Sequence, residues 1–129
     1  MIKIFTDGGS RGNPGPAAAG YVVFDSAGNI REKCGKYIGI ATNNDAEYQG
    51  VVEALSAVSD PELAFFLDSM LVVNQLNGLW KVKEARIREY ITKIRVLEAG
   101  RKITYTHIPR EKNKEADSLV NETLDRQIQ

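Results

Sequence analysis

Apolar residues recur along this chain with two different spacings, and the changes between them divide it into elements. Met1 to Thr6, Ala17 to Phe24 and Ile30 to Ile40 are rich in β-branched and aromatic residues, and the turn-forming "DSAGN" separates the last two, which predicts three strands with a hairpin. Between the first two lies "GGSRGNPGP", whose Gly and Pro content predicts a shaped loop without regular structure. In "TNNDAEYQGVVEALSAVSD" the spacing becomes helical: an Asn or Asp start signal is followed by Val51, Ala54, Leu55 and Val58 on one side and a stop near Pro61. "LAFFLD" is a continuous apolar run, as in a strand buried on both faces. "SMLVVNQLNG" and "KEARIREYITKIRVLEAG" read as helices, the second with Ile87, Ile91, Ile94 and Leu97 or Val96 on one side and Gly100 as its stop. "KITYTHI" is a last strand and "EKNKEADSLVNETLDRQI" a last helix. The order β-β-β-α-β-α-α-β-α predicts a mixed α/β sheet whose later strands are joined by helices.

With 129 residues, 43% of them hydrophobic, the chain has the size and apolar content of one domain, expected to span 1–129. No apolar run reaches bilayer length, and "MIKIFTDGG" lacks the continuous apolar region of a signal peptide, so the expectation is a soluble, cytoplasmic protein. The single cysteine, Cys34, excludes an internal disulfide and any multi-cysteine metal site, and is assigned to a strand. The formal net charge is zero, but the charges are segregated. Residues 81–114 carry eleven Lys or Arg against four acids, a balance of +7, whereas residues 41–80 carry six acids and no Lys or Arg. A basic surface beside an acidic one suits phosphate binding next to a cation site; a solvated helical face is the alternative.

Two aspartates fall where α/β sheets collect ligands, outside the carboxyl ends of parallel strands. Asp7 is expected to close the first strand and Asp68 the "LAFFL" strand, although Asp68 also suits a helix cap. Glu47 continues the apolar stripe of Val51, Ala54 and Val58, and Asp117 continues that of Val120, Leu124 and Ile128. An acid on an inward helix face needs a partner, either a buried Lys or Arg or a shared cation. If the four converge, their repulsion requires a cation, and an all-oxygen donor set with so little His and Cys points to Mg²⁺ or Mn²⁺ rather than zinc. Two such ions support in-line attack of water on a phosphodiester. The glycines after Asp7, Gly8 first, would let a bulky substrate backbone approach.

Together, "TDGGSRGNPGPAAAGYVV", "TNNDAEYQGVVEAL", "LDSMLVVNQLNGLWKVK" and "HIPREKNKEADSLVN" resemble the ribonuclease H family, type 1, in its compact bacterial and archaeal form. The resemblance covers nearly the whole chain. It implies a five-stranded mixed sheet with the second strand antiparallel to the rest, flanked by helices. It also implies two-metal hydrolysis, with Mg²⁺ or substituting Mn²⁺, of the RNA strand of RNA/DNA hybrids to leave 5′-phosphate and 3′-hydroxyl ends. Asp7, Glu47, Asp68 and Asp117 match the family's four metal-binding acids. Ser10, Gly12 and Asn13 match residues lining the RNA minor groove, where the 2′-hydroxyl is read. Asn43 and Asn44 match contacts to both strands, Thr42 a DNA-phosphate pocket and Trp80 an aromatic along the DNA channel. The plain alternatives are loop formation for the first group, helix capping for the "TNN" run and core packing for Trp80.

His107, ten residues before Asp117, stands where several members place a histidine that assists proton transfer or product release; a plain strand-end role is equally open, and Arg110 is an alternative source of charge there. The chain departs from the family in having Met70 where a minor-groove glutamine is frequent, and only "KVKEA" in place of a basic protrusion. The expected partner is an RNA/DNA hybrid, with no membrane or obligate protein partner and a monomeric state. Two alternatives are an enzyme of the same fold also cleaving double-stranded RNA and a non-catalytic nucleic-acid-binding module.

Overall fold

Paired along both of its edges, the first strand, β1 (Ile2–Ser10), is the central one of a five-stranded sheet in a computed structural model that describes residues 1–128. The other elements are β2 (Gly15–Phe24), β3 (Ile30–Ala41), α1 (Asn43–Ala57), β4 (Glu62–Leu67), α2 (Met70–Leu76), α3 (Ala85–Glu98), β5 (Lys102–His107), a short 3₁₀ turn (Arg110–Lys112) and α4 (Lys114–Ile128). The sheet order is β3-β2-β1-β4-β5. β2 runs antiparallel to β1 and β3, while β1, β4 and β5 are mutually parallel, so the second strand alone is reversed. That is the topology the family resemblance implies. After the hairpin on one side of β1 the chain returns through α1 to its other side. The crevice between β1 and β4 is therefore the switch point where open α/β sheets bind ligands.

One expectation is corrected. β1 does not stop at Thr6: it continues through Asp7, Gly8 and Gly9 to Ser10, paired with Gly20, Ala19, Ala18 and Ala17 of β2. The two glycines are strand residues because β2 supplies a full ladder opposite them, and the irregular connection shrinks to residues 11–14. Asp7 thus sits inside the antiparallel ladder. It nevertheless lies beyond the parallel one, whose last β1–β4 pair is Phe5 with Phe66. Past that pair the two strands part, which opens a gap beside Asp7.

Helices cover both faces of the sheet. A Cβ on Gly8 would fall 2.2 Å from the Ala46 carbonyl carbon in α1, while Cβ atoms on Gly9 and Gly20 would meet Val120 in α4, so α1 and α4 lie on opposite sides. The main core is on the α1 side, with Ile4, Tyr48, Val51, Leu63, Phe65 and Ile94 each fully buried. In α3 the stripe resolves to Leu97, which packs on this core; Val96 is 71% exposed. Val120 and Leu124 of α4 are buried as the stripe predicts, and the Ile128 side chain lies outside the described residues. Cys34 is a half-buried β3 side chain against the main core.

Two devices fix α1 and α3. Thr42 and Asp45 form a capping box at the α1 N-terminus, and the buried Asp45 also binds Arg86 of α3 at 2.6 Å. At the other end, the Arg101 guanidinium donates to the carbonyls of Leu55, Val58, Asp60 and Leu97, closing the last turns of both helices. Arg101→Ala is expected to lower the unfolding free energy by about 2–4 kcal/mol in urea titrations, with Arg101→Lys recovering less than half, because one ammonium cannot reach carbonyls in four directions.

Candidate active site

Asp7, Glu47 and Asp68 reach the β1–β4 gap from three elements: a strand, the first turns of α1, and the residue after β4. One carboxylate oxygen from each lies within 4.8 Å of the other two, and all three residues are half-buried. Gly8 makes this approach possible. With no side chain there, the α1 backbone at Ala46 and Glu47 settles directly onto β1, and Gly50 repeats the contact one turn on, where a Cβ would stand 3.0 Å from the Asp7 carbonyl oxygen. The space beside Gly8 is filled by α1, which corrects the expectation that this glycine leaves room for substrate.

Among the described residues, none of the ion pairs formed by Lys or Arg engages these three acids. Their charges are therefore felt. Burial, and then the Asp68 charge, lift Asp7 to about 8, with smaller pushes from Glu47 and Asp117. Burial lifts Glu47 to about 7, Asp68 adding to the rise while the Ser69 hydroxyl and the Arg110 guanidinium oppose it. An uncompensated all-oxygen donor set of this kind suits a hard divalent cation, which Asp7, Glu47 and Asp68 could hold. Asp117 is not part of the 4.8 Å group. It stands in the first turn of α4, near enough to raise Asp7, and accepts a 3.3 Å hydrogen bond from Asn121. Asn113, which the sequence reading passed over, is fully buried and donates to Asp68 Oδ2 at 3.1 Å and to the Thr6 carbonyl at 2.8 Å. An asparagine just before a helix reads as a cap; only the structure turns its side chain inward.

The sequence matches the reverse transcriptase-like family over residues 5–123. Ribonuclease HI of Halobacterium salinarum is 41% identical over 96% of this chain and 64% of its own length. LC11-RNase H1, solved in complex with an RNA/DNA hybrid, superposes with a TM-score of 0.94 at 42% identity over the whole of both chains. The chain belongs to the ribonuclease H family. The N-terminal RNase H domain of Rv2228c from Mycobacterium tuberculosis is similar as well, with a TM-score of 0.88 and 40% identity over 94% of this chain and 96% of that one. The chain spans about two thirds of the halobacterial enzyme but 35% of the full Rv2228c protein.

In this ribonuclease H fold, the other residues singled out from sequence fall on several elements. Ser10 N–H donates to Asn43 Oδ1 at 2.9 Å and Asn43 N–H to Asn13 Oδ1 at 3.0 Å, which ties the loop around Gly12 to the start of α1; the Ser10 hydroxyl donates to the Gly12 carbonyl. Thr42 is the α1 cap. Asn44 lines a groove of about 260 Å³ with Leu71, Gln75, Lys81 and Lys83. Trp80, beyond α2, is 47% exposed and so is not a core residue, and Met70 is exposed at the start of α2. His107 ends β5 opposite Leu67, exposed, as the sequence suggested.

The basic excess is smaller than its count implied. Arg86 is paired with Asp45, Arg95 with Glu98, and Arg88 and Arg101 hold main-chain carbonyls, which leaves seven exposed cations from Lys81 to Lys114 to attract a polyanion. Among the described residues, no helix is long and apolar enough to cross a membrane.

Because Asp7 and Glu47 titrate above their ordinary range when folded, the folded state binds more protons than the unfolded one between about pH 4 and 8. Their contribution to stability is therefore complete in acid and is lost as pH rises through this window. The metal-free protein is expected to melt lower at pH 8 than at pH 5.5. Asp7→Asn should flatten that slope and raise the melting temperature at pH 8 by about 5 °C or more, as read by calorimetry in EDTA.

Proposed function

We propose that this chain is a metal-dependent endonuclease that hydrolyses the RNA strand of RNA/DNA hybrids, leaving 5′-phosphate and 3′-hydroxyl ends. The observation that carries the reading is the cluster of Asp7, Glu47 and Asp68 oxygens at the switch point of a fold matching a hybrid-bound ribonuclease H1 throughout its length. Two hard divalent ions, Mg²⁺ or Mn²⁺, held by these acids with Asp117 completing the set, supply the charge that lowers the barrier to in-line attack on a phosphodiester.

The chain's own residues supply position. Ser10, Gly12 and Asn13 present a short loop, braced by Asn43, to the minor groove, where the RNA 2′-hydroxyl distinguishes the strand to be cut. The carbonyls of Asn13 and Asn43 accept main-chain hydrogen bonds, so their amide nitrogens are the donors toward the hybrid. Asn44 and the lysines at 81 and 83 border a groove suited to the DNA strand, with the exposed Trp80 next to Lys81 in the chain and Thr42 capping the helix that carries Asn44. On the other flank, His107 ends β5 next to the strand carrying Asp68, which suits it to proton movement or to release of the cut end, and Arg110 places positive charge near Glu47. A module that only bound nucleic acid would gain nothing from an unpaired acidic cluster that weakens its own fold.

Incubating the protein with labelled RNA/DNA, RNA/RNA and DNA/DNA duplexes, with and without Mg²⁺ or Mn²⁺, tests this reading. Cutting confined to the RNA of the hybrid and dependent on metal is the expected result, while equal cutting of double-stranded RNA or metal-independent cutting would overturn it. Asp7→Asn should reduce turnover by roughly a thousandfold or more. Its metal-free affinity for the hybrid should stay within about threefold, because phosphate and sugar contacts carry most of the binding.

A further inference from the structure

We propose that Asn113 is a positioning residue for the metal-binding carboxylates, acting through Asp68; the inference rests on the reading that Asp7, Glu47 and Asp68 hold a divalent ion. Asn113 lies in the turn between the 3₁₀ segment and α4, with 1% of its surface accessible. Its amide nitrogen donates in two directions, to Asp68 Oδ2 at 3.1 Å and to the main-chain carbonyl of Thr6, the residue before Asp7, at 2.8 Å. One planar group thus sets the spacing between the end of β4 and the β1 backbone that leads into Asp7. The same residue accepts the main-chain N–H of Asp117 at 3.1 Å, so it also registers the start of α4 against the other two elements.

The chemistry of the side chain fits this task. A lysine or arginine here would hold Asp68 equally well but neutralise the charge a cation needs, an aspartate would repel it, and a serine has one proton for two acceptors. A neutral amide fixes the carboxylate's rotation and leaves its remaining lone pairs for an ion. The placement also works against stability. Asn113 Oδ1 and Thr6 Oγ1 are both buried without a hydrogen-bond partner, an arrangement a residue serving only the fold would avoid.

Mn²⁺ binding, followed by the electron paramagnetic resonance signal of free Mn²⁺, tests the proposal in the unmutated protein, Asn113→Ala, Asn113→Ser, Asp68→Asn and the Asn113→Ala/Asp68→Asn double variant. Loss of an outer contact of this kind weakens metal binding about 10–100-fold, which is the shift expected for Asn113→Ala, with hybrid affinity in EDTA unchanged. In the Asp68→Asn background the alanine substitution should add less than about a twofold loss, since the charged carboxylate it positions for the ion is gone; a purely structural role would give the same loss in both backgrounds. Should the alanine variant fail to fold, Asn113→Ser reads the same quantity. In the ¹⁵N-labelled unmutated protein, the Asn113 side-chain amide resonances should shift along the Mg²⁺ saturation curve. Affinity within threefold of the unmutated protein in a folded variant, or unmoved Asn113 resonances at Mg²⁺ saturation, would overturn the role of Asn113 alone. Failure of the unmutated protein to bind Mn²⁺ would instead overturn the reading on which it rests.

Discussion

Asp7, Glu47 and Asp68 are held with oxygens within 4.8 Å of one another, a spacing at which two carboxylates repel by roughly 3–4 kcal/mol at an effective dielectric of about 20. Much of the surrounding structure can be understood as what keeps them there. Gly8 and Gly50 bring α1 onto β1, the parting of β1 and β4 after Phe5 leaves the acids a common space, and the capping box at Thr42 and Asp45 fixes the end of α1 that carries Glu47. Arg86 and Arg101 then secure α1 to α3 and to the loop before β4. Burial first, and the neighbouring carboxylates after it, favour the protonated forms, which is why Asp7 and Glu47 titrate near neutrality. A divalent cation replaces those protons and removes the repulsion at once, so folding, protonation and metal binding are linked through one cluster.

The distribution of positive charge follows from the same constraint. An arginine paired with any of these acids would relieve the repulsion and abolish the cation site. The arginines that come nearest the core are instead bound to Asp45, Glu98 or main-chain carbonyls. Arg110 is exposed and close enough to lower Glu47 without forming an ion pair among the described residues. The exposed lysines beyond it can draw a polyanion toward the site without quenching it.

Element types and order were legible because the patterns that encode them are local: Val51, Ala54, Leu55 and Val58 on α1, the unbroken run of β4, Gly100 after α3. Glu47 and Asp117 stood out for a physical reason as well, as charges continuing apolar stripes. The sequence was silent where the meaning of a residue depends on a distant partner. Gly8 and Gly9 read as loop because a glycine's place in a strand is decided by the strand opposite, here the small residues Ala17 to Gly20. Asn113 did not stand out, and Arg101 counted as one more cation of the basic run, because neither the Asp68 carboxylate nor the four carbonyls they serve are their neighbours in the chain. Of the four acids expected to converge, Asp7, Glu47 and Asp68 have oxygens within 4.8 Å of one another, and Asp117 stands in the first turn of α4, near enough to raise Asp7.

The linkage between protons and cation gives the most direct test. Titrating Mn²⁺ calorimetrically into the protein at pH 7 in buffers of different ionisation enthalpy measures the protons displaced by each ion. With Asp7 near 8 and Glu47 near 7, release of about one proton is predicted, shrinking toward zero by pH 9. Binding with no proton release at pH 7, or no binding at millimolar Mn²⁺, would contradict the account.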